Sequence, residues 1–460
     1  MHDKTWQAYI IDGGLLGGYL SRILYTYGRS RILLALQTGI QIGEMVLEDQ
    51  PSGEIYHFGV PAAGQSPAVI KIKDKKAWGR IFLTLDLGFS EAYMKSEVDS
   101  PDLKSVFDIW LNNRQTLDGI SSIASAVSGY FSAAMITLCG RQSIKMAKWN
   151  VEIAYDTSND FYRCFLSQDM MYSCALWDGD DDGGVRGDIE RHDSDVYALE
   201  RAQQRKIAHI LSKARVQAGD HILEIGSGWG ALAISAAKMG CTVETVTLSS
   251  QQKHMVEARA KAEGVEKSVH VHLTDYRQLP SSFAGSFDAF ISCEMIEAVG
   301  PAHRSTYFKM IDWALKKRRG TVVITATSQP EFRFSMFQSN CFARHYHWPN
   351  TFLPSATALP GWVQSATPGR LVLVNLEDHN MHYPRTLREW NRRLELNFHG
   401  DIVERLQKEY PQLNDLQNLE SFRRKWKYMF AYAEAGYAKG YTSLNCWTFT
   451  RPENIGQKCD

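Results

Sequence analysis

The chain has 460 residues, room for two or three domains, and its 44% hydrophobic content is that of a globular protein, not a disordered one. Lys plus Arg and Asp plus Glu both number 51, so net charge gives no argument for a nucleic-acid partner. Eight cysteines without C-x-x-C spacing argue against a zinc site or a disulfide framework and fit a reducing compartment, and no metal is expected.

The start, MHDKTWQAYIID, lacks an apolar stretch behind a basic end, so the expectation is a cytoplasmic protein without a signal peptide. From Gly28 to about Asn113 the sequence reads as small β elements followed by helices. Strands are expected at 56–59 and 68–72 around the loop PAAGQSP, and a helix from Lys76. Pro101-Asp102 opens another helix with Leu103, Val106, Phe107 and Trp110 at helical spacing, its aromatics read as core. Residues 1–118 thus form a small α+β domain. Residues 119–145 read as a linker. Gly119 to Gly140 is uncharged over a membrane-spanning length, but five serines, a threonine and three glycines weaken insertion. Peripheral membrane contact is the alternative.

Residues 146–200 concentrate Tyr155, Phe161, Tyr162, Phe165, Tyr172 and Trp177 among Asp and Asn, as in a helical lid over a pocket. Asp180 to Asp182, before Gly183-Gly184, read as an exposed loop. The basic runs at 316–319 and 423–425 read as solvated faces.

From Glu200 strand and helix alternate, which gives a doubly wound, mostly parallel sheet over 201–330. Its centre is HILEIGSGWG, a buried strand, a glycine turn and the first turn of a helix. Gly226, Gly228 and Gly230 let the backbone turn sharply and lie flat against a ligand, and Glu224 at the strand end can accept hydrogen bonds from an amine. Gly226-x-Gly228-x-x-Ala231 also satisfies the dinucleotide pattern. A dinucleotide site adds an acidic residue at the end of the next strand, whereas here Glu244 lies mid-strand and the strand ends in Thr247-Leu248-Ser249. S-adenosylmethionine is the better match. Ligands of such sheets bind at carboxyl strand ends, where Gly226, Ser249, Asp275 and Glu294 fall. Ser249 also reads as a helix N-cap and Gly264 as a stop. Residues 331–420 then form an acceptor-pocket segment, with a strand at 370–375 and a loop that Pro384 helps to fix before a helix near Thr386. Residues 421–460 close the domain with a helix and a strand.

Met171-Tyr-Ser-Cys174, EIGSGWG, TLSSQQ, Asp275-Tyr276-Arg277, SCEMIEAVG and HYPRTLREW, with DLGFSEAYM earlier, occur in an order that resembles the cyclopropane-fatty-acyl-phospholipid synthase family over nearly the whole chain. The resemblance implies a Rossmann-like methyltransferase core and a cofactor set of Tyr155, Tyr172, Ser173, Glu224, Gly226, Gly228, Gly230, Thr247, Leu248, Ser249, Gln251, Asp275, Tyr276 and Glu294. It implies methyl transfer from S-adenosylmethionine to a cis double bond of a lipid or lipid-like chain through a carbocation. It also implies a bicarbonate ion held by Cys174, Glu297 and Tyr383. Thr325 stands where many members have a further histidine, and the segment from His345 to Thr351 departs from the family's aromatic, glycine-rich wall. These departures point to a eukaryotic-type member or one specialised for a natural product such as a polyene. The alternative is a cofactor-bound cyclase that transfers no methyl group. The expected partner is a small-molecule or lipid substrate, with a homodimer allowed for and nucleic acid not.

Overall fold

The computed structural model describes residues 18–61, 64, 66–117, 158–190 and 195–454. Tyr155 and the whole of the 119–145 linker reading, with the uncharged stretch from Gly119, lie outside them. Among the described residues no helix is long and apolar enough to cross a membrane.

The chain divides into two compact units. The first contains Met1–Cys139, Phe337–Tyr346 and Gln407–Lys439, the second Gly140–Met336, His347–Leu406 and Gly440–Asp460. The first described element of unit one is a helix, Gly18–Gly39, which runs past Gly28, where small β elements are expected to begin. It then builds a four-stranded sheet from β1 (Glu44–Asp49), β2 (Glu54–Gly59), β3 (Ala68–Ile72) and β4 (Val98–Asp99), ordered β2-β1-β3-β4. Strand β1 escapes a reading based on apolar runs because only Met45, Leu47 and Asp49 face inward, with half-buried residues between them. The helix expected from Lys76 is two helices, Lys76–Thr84 and Asp86–Met94, broken at Leu85 by a positive φ of 48°. Helix Leu103–Asn112 starts at Asp102, whose carboxylate caps Ser105 N–H, and buries Leu103, Val106 and Ile109, while Trp110 stays 40% exposed.

Helix Leu416–Ala438, read as part of the larger domain, belongs to unit one. Its Tyr428 is buried among Phe89, Tyr93, Phe107 and Phe342. Arg424, read as part of a solvated basic face, is buried there too, donating to the Tyr93 and Val98 carbonyls.

Unit two holds a seven-stranded sheet ordered β10-β11-β9-β8-β5-β6-β7. Its strands are β5 (His221–Ile225), β6 (Thr242–Thr247), β7 (Val269–Leu273), β8 (Ala289–Cys293), β9 (Thr321–Ser328), β10 (Val372–Asp378) and β11 (Ser443–Thr450). The five strands β9, β8, β5, β6 and β7 are parallel and β11 runs antiparallel to both β9 and β10, so the doubly wound, mostly parallel expectation is met. Strand β5 is buried on both faces from Ile222 to Ile225, as its largely apolar sequence requires. The strand order reverses between β8 and β5, which opens a crevice beyond their carboxyl ends.

Three expectations change in this unit. The described part of the lid, 158–190, has only short helices at Asn159–Arg163, Gly179–Asp182 and Gly187–Glu190, and Phe161, Tyr162 and Phe165 are core residues. The acidic run is no exposed loop throughout: Asp182 is buried, bridged by Arg201 and Arg205. The late helix starts at His382, not Thr386, with Pro384 inside its first turn, where a missing N–H costs nothing.

Candidate active site

The glycine turn follows β5 directly. Gly226, Gly228 and Gly230 have φ of 99°, 48° and 86°, all in the region that favours glycine. Gly226 and Gly230 are also confined: an added Cβ would come within 3.2 Å of Met295 or 2.8 Å of Val256. Gly228 differs. A Cβ there meets nothing within 4 Å, so this glycine faces open space.

Glu224, on the last turn of β5, is buried, and the Thr245 hydroxyl of the adjacent β6 donates to its Oε2 (2.5 Å). Burial pushes its carboxyl up to about 8, against the opposing effects of Thr245 and the Lys206 charge. Glu244, the residue a dinucleotide site would need, is held elsewhere: His221, His270 and His272 all point their ring nitrogens at it (3.4, 3.0 and 2.5 Å). Burial works against its charge, yet these hydrogen bonds hold its carboxyl well below the usual range. It has no freedom to serve a ribose.

The ends of β6 and β7 are internally bonded. Thr247 Oγ1 donates to Gln252 Oε1 (2.7 Å) and accepts from Ser249 N–H (3.1 Å), and Ser249 Oγ caps Gln252 N–H. Leu248 and Gln251 lie half-buried beside them. Gly264 ends that helix with φ of 70°, as its expected stop. Asp275 is buried and doubly bonded to the Arg277 guanidinium, while Tyr276 packs edge-on against Tyr307 (5.2 Å).

A second cluster gathers after β8. Glu294, at a strained φ of 49°, is half-buried; its Oε1 accepts from Cys174 N–H (2.9 Å) and its Oε2 from the Tyr383 hydroxyl (2.6 Å). Burial raises its carboxyl. Of the expected catalytic trio, Cys174 and Tyr383 therefore meet on Glu294, which the sequence reading assigned to the cofactor. The Cys174 thiol is buried, faces Ala175 O (3.3 Å), and is pushed well up by burial and by the Glu294 charge. Glu297, the third member, is buried nearby. Its Oε1 accepts from Thr327 N–H (2.7 Å), and its Oε2 has no hydrogen-bond partner. Burial and then the Glu294 charge push its carboxyl up to about 8.

Two groups that the sequence reading missed complete the cluster. Lys206 is buried on helix Ala198–Lys213 and donates to Ser173 Oγ (2.6 Å). Thr386 Oγ1 accepts from Ala175 N–H (3.2 Å) and Trp177 Nε1 (3.1 Å), and donates to His382 O (3.0 Å). A buried Lys among apolar helix positions is the only sequence signal for the first; the second has none. Thr325 donates to Cys293 Sγ (3.3 Å) and lines a small cavity with Cys174, Lys206 and Glu294. Aromatic rings form the adjoining wall: Tyr172 lies 5.3 Å from Trp390 and 6.4 Å from Trp348.

Residues 142–447 match the family described as mycolic acid cyclopropane synthetase. Among relatives, tuberculostearic acid methyltransferase UfaA1 of Mycobacterium tuberculosis is 32% identical over 368 residues, covering 79% of each chain. The cyclopropane-fatty-acyl-phospholipid synthase of Escherichia coli is 29% identical, covering 81% of this chain and 84% of that one. Among solved structures, the cyclopropane synthase MmaA2 of Mycobacterium tuberculosis aligns with a TM-score of 0.53 at 20% identity, over 66% of this chain and 98% of that one. Coclaurine N-methyltransferase aligns with 0.57 at 18%, over 79% and 98%. At these identities the structures establish a shared fold.

Proposed function

The chain belongs to the mycolic acid cyclopropane synthetase family and is a methyltransferase of the cyclopropane synthase kind, and from that premise we propose that it uses S-adenosylmethionine to alkylate a carbon–carbon double bond of a lipid or lipid-like chain. The open space at Gly228 fits that cofactor, since the turn leaves a cradle that a side chain would fill. Glu224 and the turn would hold its amino-acid end, with the ends of β6 and β7 beside the remainder. When bound, the cofactor supplies an electrophilic sulfonium methyl group.

An alkene is a weak nucleophile, so the protein's contribution is orientation in a dry pocket. Tyr172, Trp348 and Trp390 offer aromatic faces to the positive charge that develops on the acceptor. Glu294, braced by the Cys174 N–H and the Tyr383 hydroxyl, adds a fixed acidic group. We assign the proton-accepting role to Glu297. The observation that carries this is its buried Oε2 without a partner, an arrangement that costs about 1–3 kcal/mol in a folded protein and suits an oxygen reserved for the reacting chain. Bicarbonate fits less well. The Tyr383 hydroxyl is already given to Glu294, and the Cys174 thiol faces a backbone carbonyl.

The test is incubation of purified protein with methyl-labelled S-adenosylmethionine and unsaturated phospholipid, followed by mass spectrometry. The expected result is labelled lipid heavier by one CH₂, with S-adenosylhomocysteine in equal amount. Cofactor binding without label in any lipid would overturn the reading.

A further inference from the structure

We propose that His209, Glu377 and His379 form a binding site for a divalent transition-metal ion, zinc being the best match. His209 comes from helix Ala198–Lys213, Glu377 from the end of edge strand β10, and His379 from the turn that follows. Both imidazole Nε2 atoms converge on the same carboxylate oxygen, Glu377 Oε2, His209 at 2.7 Å and His379 at 3.4 Å. All three ligand atoms lie within 4.8 Å of one another. Zinc with nitrogen and oxygen bonds of about 2.0–2.2 Å holds its ligands roughly 3.3–3.6 Å apart on a tetrahedron, so a small outward shift of His209 seats the ion.

An ordinary ion-pair network is the competing account. Here one oxygen serves two imidazoles while the other oxygen is taken by Lys213 Nζ (2.5 Å), an arrangement that an ion-pair network also allows and that metal titration distinguishes. That lysine fixes the carboxylate from behind, as second-layer partners of metal ligands do. The groups facing the site are of both signs: Lys213 and Arg205 against Glu377 and Asp378, with His382 alongside. With three protein ligands, one of them an acid already paired to a lysine, the ion keeps net positive charge. Its fourth position therefore favours water or an anionic group. His209 and His379 also line the cavity that contains Cys174, Glu294 and Thr325, so the site opens onto the proposed reaction chamber.

Full-length protein, stripped with a chelator and desalted, would be titrated with zinc chloride in a calorimeter, and with cobalt(II) under visible absorption. The expected result is one zinc per chain and intense cobalt bands of a four-coordinate site. His209→Gln and His379→Gln should each weaken zinc binding by about tenfold or more, a cost of about 1.4 kcal/mol, and remove the cobalt bands. No zinc binding by the unaltered protein, or affinity unchanged in both variants, would overturn the proposal. If neither variant folds, the cobalt spectrum of the unaltered protein decides: bands of a six-coordinate, water-like ion would refute it.

Discussion

The Tyr383 hydroxyl donates to Glu294 Oε2 across 2.6 Å and so ties the first turn of helix His382–Asn397 to the strained residue that follows β8. Removing that donor leaves a half-buried carboxylate oxygen short of a partner. Tyr383→Phe should lower stability by about 1–3 kcal/mol, read by urea unfolding. It should also reduce label transfer by about tenfold or more, equivalent to about 1.4 kcal/mol of barrier. Stability lost without any change in turnover would confine Tyr383 to a structural part.

Glu297→Gln keeps the Thr327 contact through its amide oxygen but cannot take a proton. Cofactor affinity by calorimetry should be unchanged, while turnover should fall on the order of 10²–10⁴-fold, the usual worth of a positioned base. Unchanged turnover would remove Glu297 from the mechanism.

The same carboxyl sets a pH dependence. The folded protein keeps a proton on Glu297 up to about pH 8, whereas an ordinary glutamate releases it near 4.5. Folding is therefore favoured at low pH, and this contribution is lost as pH rises through that window, on the order of 1.4 kcal/mol per pH unit at most. Thermal melts should show the loss, with Glu224 adding to it because its carboxyl is raised to about 8 as well. Glu297→Gln should flatten the slope, and parallel slopes would refute the assignment. The reaction needs the deprotonated form, so kcat/KM should climb toward pH 8.

Gly228→Val should abolish cofactor binding while the fold survives. Its Cβ meets no protein atom within 4 Å, so only the left-handed φ of 48° is penalised, by about 1–2 kcal/mol. Calorimetry that still finds the cofactor at unaltered affinity would move the cradle elsewhere.

Thr386 holds two buried N–H groups at once. Thr386→Val should destabilise the protein by about 2–4 kcal/mol, from two lost acceptor contacts, and Thr386→Ser should restore most of it. Equal stability of the valine variant in chemical denaturation would show that those N–H groups find other partners.

The sequence by itself determined the alternation of strand and helix from Glu200 onward, the glycine turn after β5, the Ser249 cap and the strand ends at which the site lies. Each of these rests on periodicity or on residues a few places apart, so the signal is local. Helix Gly18–Gly39 and strand β1 escaped because one lacks a clean apolar stripe and the other is half-polar. Only the tertiary structure decided that Glu244 is pinned by three histidines and that Cys174 and Tyr383 meet on Glu294. It alone places helix Leu416–Ala438 in the first unit and brings Glu377 to His209, 168 residues away. Such pairings depend on which strand lies beside which and on which side chains burial forces to share a partner, and neither is written in the spacing of neighbouring residues.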